Sequence, residues 1–175
     1  MTLDALHTEL VIRQGMKSDL SALEWDGEYA HFRRLFMDAY QQVEQGRAII
    51  WIAELPRDGL IGQLFVSLYT YRNELADGKT RAYLFGFRVR PAYRSLGVGT
   101  IMMHAVESDL IDRGFRQLAL NVGQENPAAR AFYERLGYRV SSPDPGRWSY
   151  LDDRGQRVDV HEPAWRMLKD LCREG

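Results

Sequence analysis

An arginine followed by two glycines is the feature of this sequence with the clearest chemistry. Arg94, Gly97 and Gly99 lie between a hydrophobic run that ends at Val89 and a segment with helical apolar periodicity. Because glycine has no Cβ, a ligand can approach the backbone N–H groups of a first helical turn, which lack partners within the helix. The helix dipole and a guanidinium both attract anions. The spacing therefore predicts a phosphate-binding loop.

Two better-known phosphate loops do not fit this segment. A Walker loop ends in Gly-Lys-Ser or Gly-Lys-Thr, which this chain lacks, and the dinucleotide fingerprint has a third glycine where this chain has Met102. A glycine-rich turn that only lets a helix pack on a strand is the alternative explanation. Arg94 favours the phosphate site over that alternative.

Residues 126–138 contain a residue suited to each end of a helix, with a tyrosine between them. Asn126 is a good N-cap and Gly137 a good helix stop. Ala129 and Tyr133 are four residues apart on one helical face, so the small residue leaves room beneath the phenol. Taken alone, the segment is more often a capped helix with a core tyrosine. Its occurrence together with the glycine loop favours a functional site.

The two segments resemble the acyl-CoA-binding motifs of the GNAT superfamily of N-acetyltransferases. Residues 94–99 look like its pyrophosphate signature, residues 89–93 are similar to the strand exit before it, and residues 126–138 match its second motif at every fixed position. The resemblance implies an α/β (α+β) fold whose central sheet of about seven strands is mixed, mostly antiparallel and flanked by helices. Two splayed parallel strands would form the acyl-CoA cleft.

The resemblance also implies the reaction, which is transfer of an acetyl group from acetyl-CoA to a primary amine of a small molecule or peptide by direct attack. Tyr133 would be the general acid, since a phenol of pKa about 10 can hydrogen-bond or protonate a thiolate of pKa about 8.5. The backbone of residues 87–89 would pair with the pantetheine arm, with the Val89 N–H polarising the thioester carbonyl. The implied cofactor-binding residues are Phe87, Arg88, Val89, Arg94, Ser95, Leu96, Gly97, Val98, Gly99, Thr100, Asn121, Asn126, Ala129 and Tyr133.

The general base is left unassigned by the sequence. Many relatives place a carboxylate on the strand before the phosphate loop, but the matching positions here are Phe85 and Gly86. Single acidic residues elsewhere are more often solvated surface groups than bases. The candidates are Glu24, Asp26, Glu28 and Glu54.

The acceptor pocket is expected in the least regular parts of the chain, which are the turn between the first two helices, residues 72–79 and the C-terminal hairpin. Aromatic residues could line it, or could belong to the core or to a dimer interface, and the core is favoured for at least half of them. They are Trp25, Tyr29, Tyr69, Trp148 and Tyr150.

The hydrophobic patterns predict one domain over residues 1–175, with the motifs in 85–138 and a C-terminal hairpin and short helix in 139–175. Strands are predicted at 10–13, 48–55, 60–71, 81–89, 117–122, 138–140, 148–151 and 157–160. Helices are predicted at 18–23, 28–45, 97–113 and 127–136, with a final one starting at Glu162-Pro163.

Composition narrows the class of protein further. The net charge of -1 gives no general attraction to nucleic acid or to a membrane. The first ten residues do not resemble a signal peptide, so a cytoplasmic protein is expected. Cys172 is the only cysteine, and the four histidines lack metal-ligand spacing, so no metal is expected. The expected partners are coenzyme A and an amine acceptor, with a homodimer left open.

Two other classes of function compete with the enzyme. A catalytically degenerate acyl-CoA-binding sensor is suggested by the missing strand carboxylate. A nucleotide-binding or phosphate-transfer protein is disfavoured by the absent Walker lysine.

Overall fold

The computed structural model describes residues 1–172, most of which lie in helices and strands. The helices are α1 (Leu3–Glu9), α2 (Arg33–Glu44), α3 (Val98–Asp112) and α4 (Pro127–Arg135). The strands are β1 (Val11–Gln14), β2 (Ala48–Leu55), β3 (Gly59–Ser67), β4 (Arg81–Val89), β5 (Gln117–Gly123), β6 (Arg139–Asp144), β7 (Arg147–Leu151), β8 (Arg157–His161) and β9 (Ala164–Asp170). Short 3₁₀ turns occur at Lys17–Asp19, Ala22–Glu24, Ala30–Phe32 and Pro91–Tyr93.

Seven strands form one sheet in the spatial order β1-β2-β3-β4-β5-β9-β6, and β7 and β8 form a separate hairpin. β4 and β5 are parallel, whereas the other neighbours in the sheet are antiparallel. Helices pack on the sheet because its apolar faces must be covered. The predicted mixed α/β fold with a mostly antiparallel sheet of about seven strands is confirmed.

The parallel strands separate toward their C-terminal ends. Residues 81–84 of β4 pair with residues 117–120 of β5, and beyond Leu84 and Leu120 the two strands no longer pair with each other. The rest of β4 stays on β3, and the rest of β5 stays on β9. A cleft therefore opens between residues 85–89 and residues 121–123, as the resemblance implies.

A β-bulge interrupts β4 beside this cleft. Phe65 pairs with Phe85 and Gln63 pairs with Arg88, so two residues of β4, Gly86 and Phe87, stand opposite one residue of β3. Gly86 has a φ of 63°, and an added Cβ would lie 2.6 Å from the Phe65 ring. The bulge changes which way the following side chains point. Phe85 and Arg88 consequently share one face of the sheet although three positions separate them.

The sheet has two differently covered faces. The motif face carries α3 and α4 and buries a large apolar cluster that includes Met102, Leu120 and Tyr133. The aromatic face carries α2 and the 3₁₀ turns of residues 17–32, and it buries a smaller cluster that includes Trp25 and Phe65. The β7–β8 hairpin packs its aromatic residues against the outer side of that second cluster.

The predicted C-terminal helix is wrong. Residues 164–170 form β9, which lies between β5 and β6 and pairs with both. Pro163 therefore precedes a strand, and Ala164, Arg166 and Met167 are buried. The apolar periodicity of a segment cannot reveal such strand pairing, because the partner strands lie elsewhere in the chain. Residues 173–175 of the predicted tail lie outside the described residues.

The N-terminal part also differs from the prediction. α1 was not expected, and it begins after Thr2, whose hydroxyl accepts a hydrogen bond from the Ala5 N–H at 3.2 Å. The predicted helix at 18–23 is two 3₁₀ turns, and α2 begins at Arg33, later than predicted. The strand predicted to reach residue 71 ends at Ser67. The other helices and strands fall within a few residues of their predicted bounds.

Candidate active site

The glycine loop delivers free backbone donors to the start of α3. Ser95 and Gly97 have left-handed φ values of 61° and 86°, which turn the chain sharply before the helix. The first hydrogen bond within α3 runs from the Ile101 N–H to the Gly97 carbonyl at 3.0 Å. The N–H groups of Val98, Gly99 and Thr100 therefore have no partner within the helix. This arrangement is suited to an anion.

The two glycines are required for different reasons. Gly97 adopts a backbone conformation that residues with a Cβ avoid. Gly99 has no such conformation, but an added Cβ would lie 3.3 Å from the Phe132 ring and 3.5 Å from the Phe87 ring. Gly99 thus lets α3 approach β4 and α4 closely, which fixes the loop beside the cleft.

Two basic side chains support the loop. Arg94 is exposed, and its Nε donates to the Val89 carbonyl at 2.8 Å. His7 on α1 lies against the loop from the other side, with its Nε2 2.7 Å from the Leu96 carbonyl oxygen and 3.2 Å from the position of a Gly97 Cβ. No spacing in the sequence pointed to His7, because only the tertiary position of α1 brings it to the loop.

α4 begins and ends as its sequence predicts. The Asn126 side chain accepts a hydrogen bond from the Ala129 N–H at 3.1 Å, so Asn126 is the N-cap and its amide oxygen is engaged there. Pro127 occupies the first helical position. Ala129 and Tyr133 both contact the cluster of the motif face.

The Tyr133 ring is buried, but its hydroxyl is accessible. The ring makes edge contacts with Phe132 and Tyr138 at centroid distances of 5.2 Å and 5.8 Å. Within residues 1–172 the hydroxyl has no side-chain hydrogen bond, and no buried side-chain oxygen there lacks a partner, so the hydroxyl reaches open space. Burial, and to a smaller extent the Tyr83 phenol, raises the pKa of Tyr133. The phenol therefore stays protonated at neutral pH.

Tyr138 differs from Tyr133 in having a fixed partner. Its hydroxyl donates to the Glu107 carboxylate at 2.9 Å, and Lys169 Nζ donates to the same carboxylate at 2.8 Å. This network holds β9 against α3, and it engages the hydroxyl of Tyr138 but not that of Tyr133.

The backbone and the side chain of Arg88 lie in two different environments. Its backbone lies in β4 next to the cleft, but its side chain extends over the aromatic face, because the bulge pairs it with Gln63. The guanidinium carbon lies 4.3 Å from the centroid of the Tyr29 ring and 5.3 Å from that of Phe32. Burial lowers the pKa of Arg88, and a hydrogen bond with Tyr29 opposes this shift.

Asn121 also points to the aromatic face. Its Oδ1 accepts from Arg166 Nε at 2.6 Å, and Arg166 also donates to Asp144 at 2.5 Å. Burial raises the pKa of Asp144, but the Gly146 N–H and the Arg166 charge together lower it by more. The net pKa therefore lies below its usual value. The structure thus engages the Asn121 side chain in a protein network next to the cleft.

Two of the four acidic candidates for the base are engaged in close ion pairs. Glu24 accepts from Arg33 at 2.7 Å, and Glu54 accepts from Arg13 at 2.8 Å. Of the other two, Asp26 has a side chain that is 93% exposed and lies 3.7 Å from Arg90, and Glu28 is exposed.

The five predicted aromatic residues do not all belong to one feature. Only Trp25 is buried, with its Nε1 donating to Gln63 at 2.8 Å, so fewer than half of them are core. Tyr69 is partly exposed and lies under Arg47. Tyr29, Trp148 and Tyr150 are close to one another through Phe32, which contacts all three.

A groove of about 740 Å³ lies between α2 and the β7–β8 hairpin. It is lined by Arg34, Gln41, Tyr150 and Arg157 among others, and none of the predicted cofactor-binding residues contributes to it. No helix within residues 1–172 is both long enough and apolar enough to cross a membrane. In the same residues no three His, Cys, Asp or Glu side chains form a group that could hold a metal ion.

The fold resembles that of acyl-CoA-binding proteins, because it combines a seven-stranded sheet and a splayed parallel pair with a glycine loop and a capped α4. The family model described as "Acetyltransferase (GNAT) family" matches residues 17–138. The chain belongs to the GNAT acetyltransferase family.

The chain is similar to several known N-acetyltransferases. The chain is 31% identical over 96 residues to 5-NmdU N-acetyltransferase of Pseudomonas phage PaMx11, and the match covers 55% of this chain and 62% of that protein. The ribosomal-protein-S18-alanine N-acetyltransferase of Escherichia coli superposes with a TM-score of 0.70 at 20% identity, covering 95% and 96% of the two chains. Arabidopsis thaliana NAA60, solved in complex with acetyl-CoA, gives a TM-score of 0.67 at 21% identity, covering 93% and 98%.

Proposed function

We propose that this protein is an N-acetyltransferase that moves an acetyl group from acetyl-CoA to a primary amine. The observation that carries the proposal is the presence of two features on the motif face. Free N–H groups of Val98, Gly99 and Thr100 stand at one end of the splayed strands, and the free hydroxyl of Tyr133 lies within the motif face. A pyrophosphate at the first site would direct a thioester toward the second.

The reaction needs no covalent enzyme intermediate. The amine nitrogen forms a bond to the acetyl carbon, the carbon–sulfur bond breaks, and the nitrogen loses one proton to a base or water. Tyr133 donates its proton to the departing sulfur, or hydrogen-bonds it while it carries negative charge. The products are an acetamide and free coenzyme A. A protonated phenol at neutral pH is the form that this role requires.

The other proposed contacts with acetyl-CoA follow from the same position of the cofactor in the cleft. The backbone of residues 87–89 would pair with the pantetheine arm, and the Val89 N–H would polarise the carbonyl. Asn126 would act by capping α4, because its oxygen is already bonded to Ala129. For Asn121, a contact through the backbone suits the structure better than one through the side chain, which Arg166 holds.

The proposal treats residues 1–175 as one acetyltransferase domain. Coenzyme A and an amine acceptor are its proposed partners, the cytoplasm is the proposed compartment, and a homodimer stays a prediction. The relative from the phage is named 5-NmdU N-acetyltransferase, and the acceptor of this chain can be searched for among small amines and amine-bearing polymers.

Release of free thiol from acetyl-CoA in the presence of a panel of amines tests the proposal. We expect thiol release to depend on the amine and to yield one acetylated product per thiol. Tight binding of acetyl-CoA without turnover on any amine would instead favour the acyl-CoA-binding sensor, which the missing carboxylate at Phe85 and Gly86 suggests. Protection of the fold against heating by ATP and not by coenzyme A would contradict both.

A further inference from the structure

The arginines on the aromatic face differ in their partners. Arg13, Arg33, Arg90 and Arg166 each lie within 4 Å of a carboxylate. Arg88 takes part in none of the ion pairs among residues 1–172. The acidic side chains that act on its pKa are those of Glu28 and Glu162, which are both exposed and form no ion pair with it.

A half-buried guanidinium without a carboxylate is costly unless something compensates its charge. The rings of Tyr29 and Phe32 supply part of this compensation, since each lies within cation–π range. An aromatic ring satisfies the charge but leaves the N–H donors of the guanidinium largely unused. The position therefore suits an anion from outside the chain.

Arg88 is also placed where an acceptor would have to bind. Its own backbone belongs to the stretch 87–89 proposed to hold the thioester, and the bulge at Gly86 turns its side chain away from Tyr133 to the opposite face of the sheet. An amine that approaches the thioester from the aromatic face therefore passes beside the guanidinium. Phe85, which is 38% exposed, lies on the same face.

The segment that brings Tyr29 to Arg88 has an unusual backbone. Trp25 and Asp26 have left-handed φ values of 49° and 58°, and Gly27 follows with 102°. Such conformations are disfavoured for residues with a Cβ and tend to occur at functional sites. The buried hydrogen bond from Trp25 to Gln63 holds this turn in place, and Gln63 is the β3 residue that pairs with Arg88.

We propose that the acceptor is a primary amine that carries an anionic group, a carboxylate or a phosphate, and that the Arg88 guanidinium binds this group. The inference rests on the proposed acetyl transfer and narrows its substrate class. A fixed guanidinium hydrogen-bonds both anions in two-pronged fashion, so the two sources share one chemistry. A polyamine is disfavoured, because the positive charge of Arg88 already occupies the faces of Tyr29 and Phe32.

Pairs of acceptors with and without an anionic group test the proposal on the full-length protein with saturating acetyl-CoA. One arm compares phenylalanine with phenylalanine amide, a second compares phosphoethanolamine with ethanolamine, and spermidine serves as the cationic acceptor. We expect kcat/KM to be at least roughly 10-fold higher for the anionic member of one arm, and that arm identifies the anion. Equal rates for the charged and neutral members of both arms, or a preference for spermidine, would overturn the inference while leaving acetyl transfer intact.

Substitution of Arg88 gives the second readout. In Arg88→Gln we expect KM for the anionic acceptor to rise roughly 10- to 100-fold, and the ratio of kcat/KM for the anionic acceptor to kcat/KM for the matched amine without the anion to fall by a similar factor. Arg88→Lys should recover part of the loss, since the charge returns without the planar fork. The control is Arg139→Gln on β6, whose side chain is 83% exposed.

An equal loss on charged and neutral amines in Arg88→Gln, or an unchanged KM for the anion, would overturn the role of Arg88. Thermal melting and acetyl-CoA affinity of each variant separate such a loss from misfolding. If no amine of any charge releases thiol from bound acetyl-CoA, the acetyl transfer itself fails, and this inference fails with it.

Discussion

The functional groups of the motif face and those of the aromatic face are positioned in different ways. On the motif face, the anion loop, the cap of α4 and the Tyr133 phenol all lie within residues 94–138, and each is placed by local helix geometry. On the aromatic face, Arg88 meets Tyr29, and Asn121 meets Arg166 and Asp144, through contacts between distant parts of the chain. Local geometry leaves a readable spacing in the sequence, whereas distant contacts do not.

The comparison suggests a division of roles. The motif face would hold the proposed donor, acetyl-CoA, and a fixed spacing suffices for it. The aromatic face would hold the acceptor, and its side chains come from turns, strands and a hairpin that can change independently. Variants that affect one face and spare the other can test this division.

The largest effect is expected from Gly97→Glu on the motif face. The substitution puts a Cβ into a left-handed position with φ 86° and adds a negative charge where the phosphate should bind. Acetyl-CoA affinity measured by calorimetry should fall by more than about 100-fold. Gly114→Glu is the matched control, because Gly114 has φ 91° and nothing lies near its Cβ position. Equal affinities in the two variants would remove the loop from the cofactor site.

Tyr133→Phe should have the next largest effect. Removal of the hydroxyl should lower kcat by roughly 100-fold, because general acids typically contribute about that much, with little change in acetyl-CoA affinity. Tyr138→Phe is the control: its hydroxyl is bonded to Glu107, so its loss should reduce the melting temperature more than it reduces kcat. An unchanged kcat in Tyr133→Phe would mean that water or another group meets the sulfur.

Asp144→Asn tests the aromatic face through stability. The folded pKa of Asp144 is lowered, so its charge stabilises the fold above its unfolded pKa of about 3.9, and this contribution is lost as pH falls through the folded pKa. We expect the variant to lose roughly 2 kcal/mol of unfolding free energy at pH 7. The gap to the wild type should shrink below about pH 4, as measured by denaturant melts at several pH values. A gap that stays constant with pH would contradict the role of the charge.

The smallest effect is expected from His7→Ala. Loss of the contact between His7 and the Leu96 carbonyl should loosen the loop and weaken acetyl-CoA binding by about 3- to 10-fold, since a single hydrogen bond contributes about 1 kcal/mol. Affinity measured beside Thr8→Ala, a substitution on the same helix that removes a hydroxyl bonded only to Asp4, separates the loop contact from a general effect on α1. Equal affinities in the two variants would show that His7 does not support the loop.

The sequence by itself determined the glycine loop, the capped helix that carries Tyr133, the central strands and the family, because these depend on short-range capping, glycine conformation and apolar periodicity. It could not find α1 beside the loop, the last strand in place of a helix, or the direction of the Arg88 side chain. β9 became a strand because β5 and β6 offered it partners on both sides. Arg88 reached the aromatic face because a bulge at Gly86 changed the side-chain alternation of β4. Both outcomes depend on pairing between residues far apart in the chain, which only the tertiary structure decides.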